Sequence, residues 1–129
     1  MEKSTNYFNT FIEVAEDCKA VTAEIPPEKE SPGAAAIEYG MLIESPYIYT
    51  SDEVLYESNG KRRGLSREEF FAKSQPCFRA SALGKRYGWG VHSDNDGEIA
   101  IYAVESGEYN RLASDENIKH FKAMRSAKK

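Results

Sequence analysis

The amino-acid sequence predicts one α+β domain in which a mainly antiparallel sheet is covered by helices on one face. A β-hairpin pattern between Arg86 and Val104 indicates the sheet, and capping boxes at Thr50 and Ser66 indicate the starts of helices. The length of 129 residues suits a single domain with its own hydrophobic core. The predicted domain therefore spans residues 1–129, with about residues 126–129 frayed at the end.

The hairpin is the clearest predicted element. Arg86 to His92 forms one strand, Glu98 to Val104 forms the other, and the turn-forming run Ser93 to Gly97 lies between them. Strand alternation directs Tyr87, Trp89 and Val91 toward the core. The opposite face then carries a cation, a histidine and two glycines: Arg86, Gly88, Gly90 and His92. Bare glycines indicate that a neighbouring helix or loop, or alternatively a ligand, packs against the backbone there.

Hydrophobic periodicity and end signals predict the other elements. Two further strands are expected, at Tyr7–Val14 and Cys77–Leu83. Helices are expected from Pro32 or Ala34 to about Glu44 with Ser31 as the cap, from Ser51 to about Arg63, from Ser66 for a short length, at Gly107–Ala113, and after Asp115, where Ile118, Phe121 and Met124 form an apolar stripe. Because Asn59-Gly60 interrupts the second helix, Val54 to Glu57 is alternatively a strand.

Composition excludes several classes of protein. The net charge of −4 argues against a general nucleic-acid binder, although basic patches occur at 61–63, 85–86 and 119–129. No apolar run approaches the roughly 20 residues of a membrane span, and the N-terminus has no apolar region typical of a signal peptide. Cys18 and Cys77 are then most simply reduced thiols, which predicts a cytoplasmic protein without a membrane partner.

The most suggestive group of side chains is cationic and lies beside aromatic residues. Arginine offers a planar fork for phosphate or carboxylate, and an exposed aromatic ring can stack on a base. The candidate ligand-binding residues are Arg79, Lys85, Arg86, Tyr87, Trp89 and His92. The alternative is a solvated sheet edge with ion pairs across the strands, and the glycines do not match a phosphate-binding loop.

Catalytic and metal-binding interpretations have less support in the sequence. Cys77 and His92 would make a nucleophile and base only if they lay within hydrogen-bond reach of each other. Asp94-Asn95-Asp96-Gly97 lacks the downstream glutamate of a complete calcium loop, and turn chemistry explains these residues without an ion. The sequence therefore predicts neither a cofactor nor a metal.

Several strings of the chain resemble a known family of small bacterial proteins. The strings are NYFNTFIEVAEDC, EIPPEK, PYIYTSDEVLYE, QPCFRASALGKRYGWGVH, IAIYAVESGEY and KAMRSAKK, and they cover nearly the whole chain. The family is catalogued as a domain of unknown function, number 6157. The resemblance therefore implies a one-domain cytoplasmic bacterial protein, and it gives no activity, cofactor or catalytic residue to carry over. The string GKRYGWGVH is also similar to MmcQ/YjbR-like proteins, which implies a frataxin-like α+β fold for which DNA binding has been suggested.

The leading hypothesis is a non-enzymatic module that binds an anionic small molecule or nucleic acid at the glycine-lined face. The alternatives are a small cytosolic enzyme that uses Cys77 and His92, and an interaction protein whose glycine face is a homodimer interface. The protein is accordingly expected to be a monomer or a homodimer.

Overall fold

A four-stranded sheet organises the fold. The computed structural model describes residues 4–27 and 33–125. The strands are β1 (Thr10–Glu13), β2 (Trp89–Ser93), β3 (Ile99–Ala103) and β4 (Lys119–Lys122), in the spatial order β3-β2-β1-β4. β2 pairs antiparallel with both β1 and β3, whereas β4 lies parallel to β1. The predicted α+β class and mainly antiparallel sheet are confirmed.

The helices and helical turns come from both halves of the chain. The α-helices are α1 (Ala34–Glu44), α2 (Ser51–Leu55), α3 (Arg67–Phe71), α4 (Ala82–Lys85) and α5 (Gly107–Ala113). A π-helical turn (Tyr56–Gly60) and a 3-10 turn (Lys61–Arg63) continue α2 without a break, and a second 3-10 turn (Phe78–Ala80) precedes α4. Among residues 4–27 and 33–125, no helix is both long and apolar enough to cross a membrane.

The strands β1 to β3 contact a hydrophobic layer on each face of the sheet, whereas β4 is exposed. On one face Ile12, Val91 and Ile101 form the main core together with Leu42, Val54 and Leu83 from α1, α2 and α4. On the other face Phe11 packs against Tyr109 and Leu112 of α5. β1 therefore shows no simple alternation of apolar and polar residues, because a central strand contacts a hydrophobic layer on each side. α5 adds a helix on the face opposite to the one that most helices cover.

The hairpin and both capping boxes are confirmed. Asp94 accepts hydrogen bonds from the backbone of Asp96 and Glu98 in the loop between β2 and β3, and Gly97 has a φ of 82°. Thr50 and Ser66 each cap a helix in the predicted reciprocal manner with Glu53 and Glu69. α1 ends at Glu44 as predicted. Its predicted cap at Ser31 lies outside the described residues.

Two predicted strands were wrong in whole or in part, and the strand alternative to the helix from Ser51 is excluded. Cys77–Leu83 is not a strand, because the Ser81 hydroxyl accepts a hydrogen bond from the Leu83 backbone and starts α4. Arg86 and Tyr87 precede the strand, which begins only at Trp89. The alternative strand at Val54–Glu57 is helical instead.

The last predicted helix is also wrong, since residues 119–122 form β4. The Asp115 carboxylate accepts a hydrogen bond from the Asn117 backbone, which makes a tight turn rather than a helix cap. The chain then pairs with β1, as the bond from the Lys119 N–H to the Asn9 carbonyl shows (2.8 Å). The predicted fraying at 126–129 lies outside the described residues.

Candidate ligand-binding site

A cavity of about 460 Å³ lies between α1, the helical segment 55–63, α3 and the segment 75–82. This volume is within the range of roughly 300–1,000 Å³ typical of small-molecule sites. Half of the residues that line the cavity are apolar, among them Ala34, Leu55 and Phe70. The polar and charged residues that line it are Glu38, Asn59, Arg62, Arg63, Gln75, Cys77 and Ser81.

Glu38 forms the inner end of this cavity. It belongs to α1 and only 2% of its surface is exposed. Oε1 accepts a hydrogen bond from the Ser81 hydroxyl (2.6 Å) and Oε2 accepts one from the Ser58 hydroxyl (2.9 Å). Burial raises the pKa of Glu38 above its usual value, although the hydrogen bonds and the charge of Arg62 oppose that rise. The cavity therefore contains a carboxyl group whose ionisation is disfavoured.

The π-helical turn places Ser58 and Asn59 beside Glu38. The Asn59 side chain donates to the Ser58 hydroxyl (2.9 Å), and the nearest acceptor of that hydroxyl is Glu38. Gly60 closes the turn against Phe70, where an added Cβ would lie only 2.9 Å from the ring. Because π-helical turns are rare and occur often at functional sites, this turn supports a role for the cavity.

Arg62 and Arg63 form the outer end of the cavity. Both are exposed, and their Nε atoms donate to the backbone carbonyls of Ser58 (2.8 Å) and Asn59 (2.6 Å). Neither arginine forms an ion pair within the described part of the chain. The terminal nitrogens of the two arginines make no hydrogen bond within the described residues.

Cys77 lies on the wall of the cavity, close to Tyr7. The Tyr7 hydroxyl and the Cys77 sulfur are 3.2 Å apart. Burial, together with this hydrogen bond, raises the pKa of Tyr7 to about 12. The tyrosine is consequently neutral near neutral pH, and it gives Cys77 a hydrogen-bonding partner that is not a base.

His92 lies on the other face of the sheet, so it does not form the predicted pair with Cys77. Its strand partner is Phe11, which belongs to the α5 side. His92 Nδ1 is 2.7 Å from the Tyr47 hydroxyl, which is also 2.7 Å from the hydroxyl of Tyr102. Burial lowers the pKa of His92. The sheet itself separates the proposed nucleophile from the proposed base.

The other predicted ligand-binding residues do not form one surface. Arg79 donates through Nε to the Lys122 carbonyl (2.7 Å) and covers the ring of Phe121, beside β4. Lys85 ends α4, and the exposed Arg86 lies over the ring of Tyr87. Trp89 is buried in the core and donates to the Glu24 carbonyl (2.8 Å). A buried indole cannot stack on a base.

The glycine-lined face is covered by the protein itself. An added Cβ at Gly90 would lie 2.7 Å from both the Phe11 and the Tyr109 rings. Gly88 has a φ of 82° and faces the segment at Ala20 and Ala23. The simpler explanation of these glycines, close packing by a helix and a loop, is therefore correct.

One acidic cluster has the composition of a cation site. Carboxylate oxygens of Asp94, Asp96 and Glu98 lie within 4.8 Å of one another. However, Asp94 Oδ1 already accepts two backbone N–H groups that shape the hairpin loop. Asp94 therefore has the turn-forming role that the sequence predicts.

Sequence reasoning missed Glu38, Ser58 and Ser81. The available signal was a single charged residue inside the apolar run of α1, four positions before the buried Leu42. Ser58 and Ser81 carried no signal, because their role depends on a contact with α1 from distant parts of the chain.

Comparison with known proteins identifies the family of the chain. A family model described as a family of unknown function, DUF6157, matches residues 2–129, so the chain belongs to this family. Neither a curated protein nor a solved structure matches the chain. These comparisons do not support the similarity to MmcQ/YjbR-like proteins, which stays a prediction.

Proposed function

We propose that this DUF6157 protein binds a small organic anion in the cavity between α1 and the helical segment 55–63. The observation that carries the proposal is the pair Arg62 and Arg63 at the mouth of a cavity of ligand size, with no ion pair to either arginine in the described residues. The predicted class of ligand is thus retained, but the predicted binding residues are replaced.

The two arginines suit recognition of a carboxylate or phosphate group. A guanidinium group presents donors in a planar fork that matches two oxygens of such an anion. Here the Nε atoms are occupied by the Ser58 and Asn59 carbonyls, which leaves the terminal nitrogens for the anion. The apolar wall at Leu55 and Phe70 would contact the body of the ligand.

This cavity is a better candidate than the surface predicted from the sequence. Arg79 is held by the Lys122 carbonyl, Trp89 is buried, and His92 lies across the sheet. Lys85 and Arg86 are adjacent cations, but neither of them lines the cavity. We expect the ligand to be a cytoplasmic solute, in keeping with the predicted location.

A thermal-shift and calorimetry screen tests the proposal. The probes are monocarboxylates, dicarboxylates, sugar phosphates and nucleoside monophosphates, because a ligand of the folded state raises the melting temperature. We expect a carboxylate or phosphate probe to bind, and the double variant R62A/R63A to weaken its binding by at least about tenfold.

The matched control is K61A/K73A, which removes two exposed cations outside the cavity lining. It should keep nearly full affinity, since only exposed charges are lost. If K85A/R86A lost binding while R62A/R63A kept it, the ligand would bind at the surface predicted from the sequence and not in the cavity. Absence of binding by every anionic probe would contradict the proposal.

A further inference from the structure

The hydrogen bonds around Glu38 favour its role as an acceptor. The Ser81 hydroxyl accepts from the Leu83 backbone, and the Ser58 hydroxyl accepts from the Asn59 side chain. Each serine hydroxyl donates to a different oxygen of Glu38, and the Ser58 hydroxyl also has the Leu55 carbonyl as a more distant acceptor (3.4 Å). Both oxygens act as acceptors, which is the pattern of an ionised carboxylate.

The negative charge of an ionised Glu38 has no cationic side chain in contact with it among the described residues. Glu38 makes no ion pair within residues 4–27 and 33–125, and Arg62 acts on it only through its field. A buried carboxylate without a paired cation is costly, and burial accordingly raises the pKa of Glu38. The site is thus arranged for a carboxylate, yet it lacks the cation that would stabilise one.

A ligand with one positive and one negative group would supply that cation and would also place an anion beside Arg62 and Arg63. We infer that the ligand is a zwitterion whose ammonium group binds Glu38 and whose carboxylate or phosphate group binds Arg62 and Arg63. This inference rests on the proposed function of the same cavity. The opposite charges of Glu38 and the two arginines would also fix the orientation of the ligand and favour a zwitterion over a simple anion.

The inference requires a proton to leave the protein when the ligand binds. In the free protein the raised pKa keeps Glu38 more protonated than an ordinary glutamate at the same pH. An ammonium group beside it lowers that pKa, so Glu38 releases its proton. Affinity should therefore increase as the pH rises toward the pKa of free Glu38 and should then level off.

The test compares amino acids with their counterparts that lack the amine. The probes are glycine, β-alanine, γ-aminobutyrate, δ-aminovalerate and ε-aminocaproate, each paired with the unsubstituted carboxylate of the same length. A second arm pairs phosphoethanolamine with ethyl phosphate and so separates carboxylate ligands from phosphate ligands. The chain length that binds best also reports the spacing between the two charged ends of the cavity.

We expect at least one amine-bearing probe to bind at least about tenfold more tightly than its partner. Calorimetry in buffers of different ionisation enthalpy should show that protons are released on binding. In Glu38→Gln the preference for the amine should fall below about threefold, while the anion without the amine binds as before. R62A/R63A should weaken the binding of both members of the pair.

The two proposals fail in different ways. Equal binding of amine-bearing and amine-free probes by the natural protein, lost in R62A/R63A, overturns the zwitterion and leaves the anion site. The same holds if Glu38→Gln keeps the full preference for the amine. If no probe binds, both proposals fail. If Glu38→Gln does not fold, the natural protein alone tests the inference. Amine preference with proton release supports the zwitterion, and absence of either overturns it.

Discussion

Glu38 occupies a position in α1 where an apolar residue would stabilise the core more simply. Its carboxyl group is buried and takes two serine hydroxyls as partners. Hydrogen bonds of this kind offset part of the cost of removing a carboxyl group from water, but a well-packed apolar side chain avoids that cost altogether. The burial of this acid is therefore not explained by stability, and it motivates the proposed role in ligand binding.

The pH dependence of stability should reveal this residue. Because burial raises the folded-state pKa of Glu38, the stabilisation from its protonated form is complete below the unfolded pKa. That stabilisation is lost as the pH rises through the folded-state pKa. We expect Glu38→Gln to remove this decline from the unfolding free energy, as measured by urea denaturation from about pH 4 to 8.

Glu69→Gln is the matched control, since the pKa of Glu69 is lowered whereas that of Glu38 is raised. Hydrogen bonds from the backbone and side chain of Ser66 lower the pKa of Glu69 at the start of α3. Its contribution is therefore present above the unfolded pKa and is lost as the pH falls. A decline that persists in Glu38→Gln would show that Glu38 does not titrate as described.

Residue-scale prediction from the sequence succeeded where the physics is local. Thr50 and Ser66 were recognised as caps because each bonds to a backbone group three residues away. Glu38 was missed because its partners Ser58 and Ser81 are 20 and 43 residues distant. No spacing rule joins three segments that meet only in the folded chain.

At the scale of the element, β4 is the most informative difference between sequence and structure. Ile118, Phe121 and Met124 recur every three residues, which is compatible with one face of a helix. The same residues are also compatible with a β-strand, and pairing with β1 favours the strand over the helix. In that arrangement Phe121 packs against Tyr7, with 5.4 Å between the ring centroids.

Two proline substitutions distinguish the strand from the predicted helix. The Lys119 N–H donates to β1, whereas parallel pairing directs the Lys122 N–H to the outer edge of the sheet. Lys119→Pro should therefore reduce the unfolding free energy by about 1 kcal/mol more than Lys122→Pro, owing to the lost hydrogen bond. Urea denaturation of both variants measures the difference.

A helix that begins at Asp115 requires the reverse order. Lys119 would lie near its first turn, where proline is better tolerated, and Lys122 would lie in its interior. A larger loss of stability in Lys122→Pro would thus contradict β4. The two variants replace the same type of exposed residue, so side-chain effects largely cancel.

The hairpin was predictable because its turn residues carry the signal themselves. Asp94 and Gly97 form the loop through local hydrogen bonds and a positive φ. The start of β2 was less predictable, since Lys85 and Arg86 are drawn into the helical turn that Ser81 begins. Because Arg86 precedes β2, it does not share a strand face with His92, although alternation predicts that it does.

At the scale of the whole molecule, the sheet joins two hydrophobic clusters. Leu83 lies in the larger cluster beside α1 and α2, and Leu112 lies in the smaller one beneath α5. Adjacent residues of β1, Phe11 and Ile12, point into different clusters. We therefore expect the two clusters to unfold together, as the prediction of a single domain requires.

Two leucine substitutions test this cooperativity. Leu83→Ala and Leu112→Ala each remove a nearly fully buried side chain and should each reduce the unfolding free energy by about 2–5 kcal/mol. Trp89, the only tryptophan of the chain, lies in the larger cluster and reports its unfolding by fluorescence. Circular dichroism follows the helices and the sheet together.

The decisive variant is Leu112→Ala, because the side chain that it removes lies across the sheet from Trp89. If β1 couples the clusters, the fluorescence transition should move to lower urea concentration by as much as the circular dichroism transition. If α5 and its cluster unfold alone, Trp89 fluorescence should change only at the urea concentration found for the natural protein. Since the anion cavity lies on the Trp89 side, that second outcome would also separate ligand binding from the stability of α5.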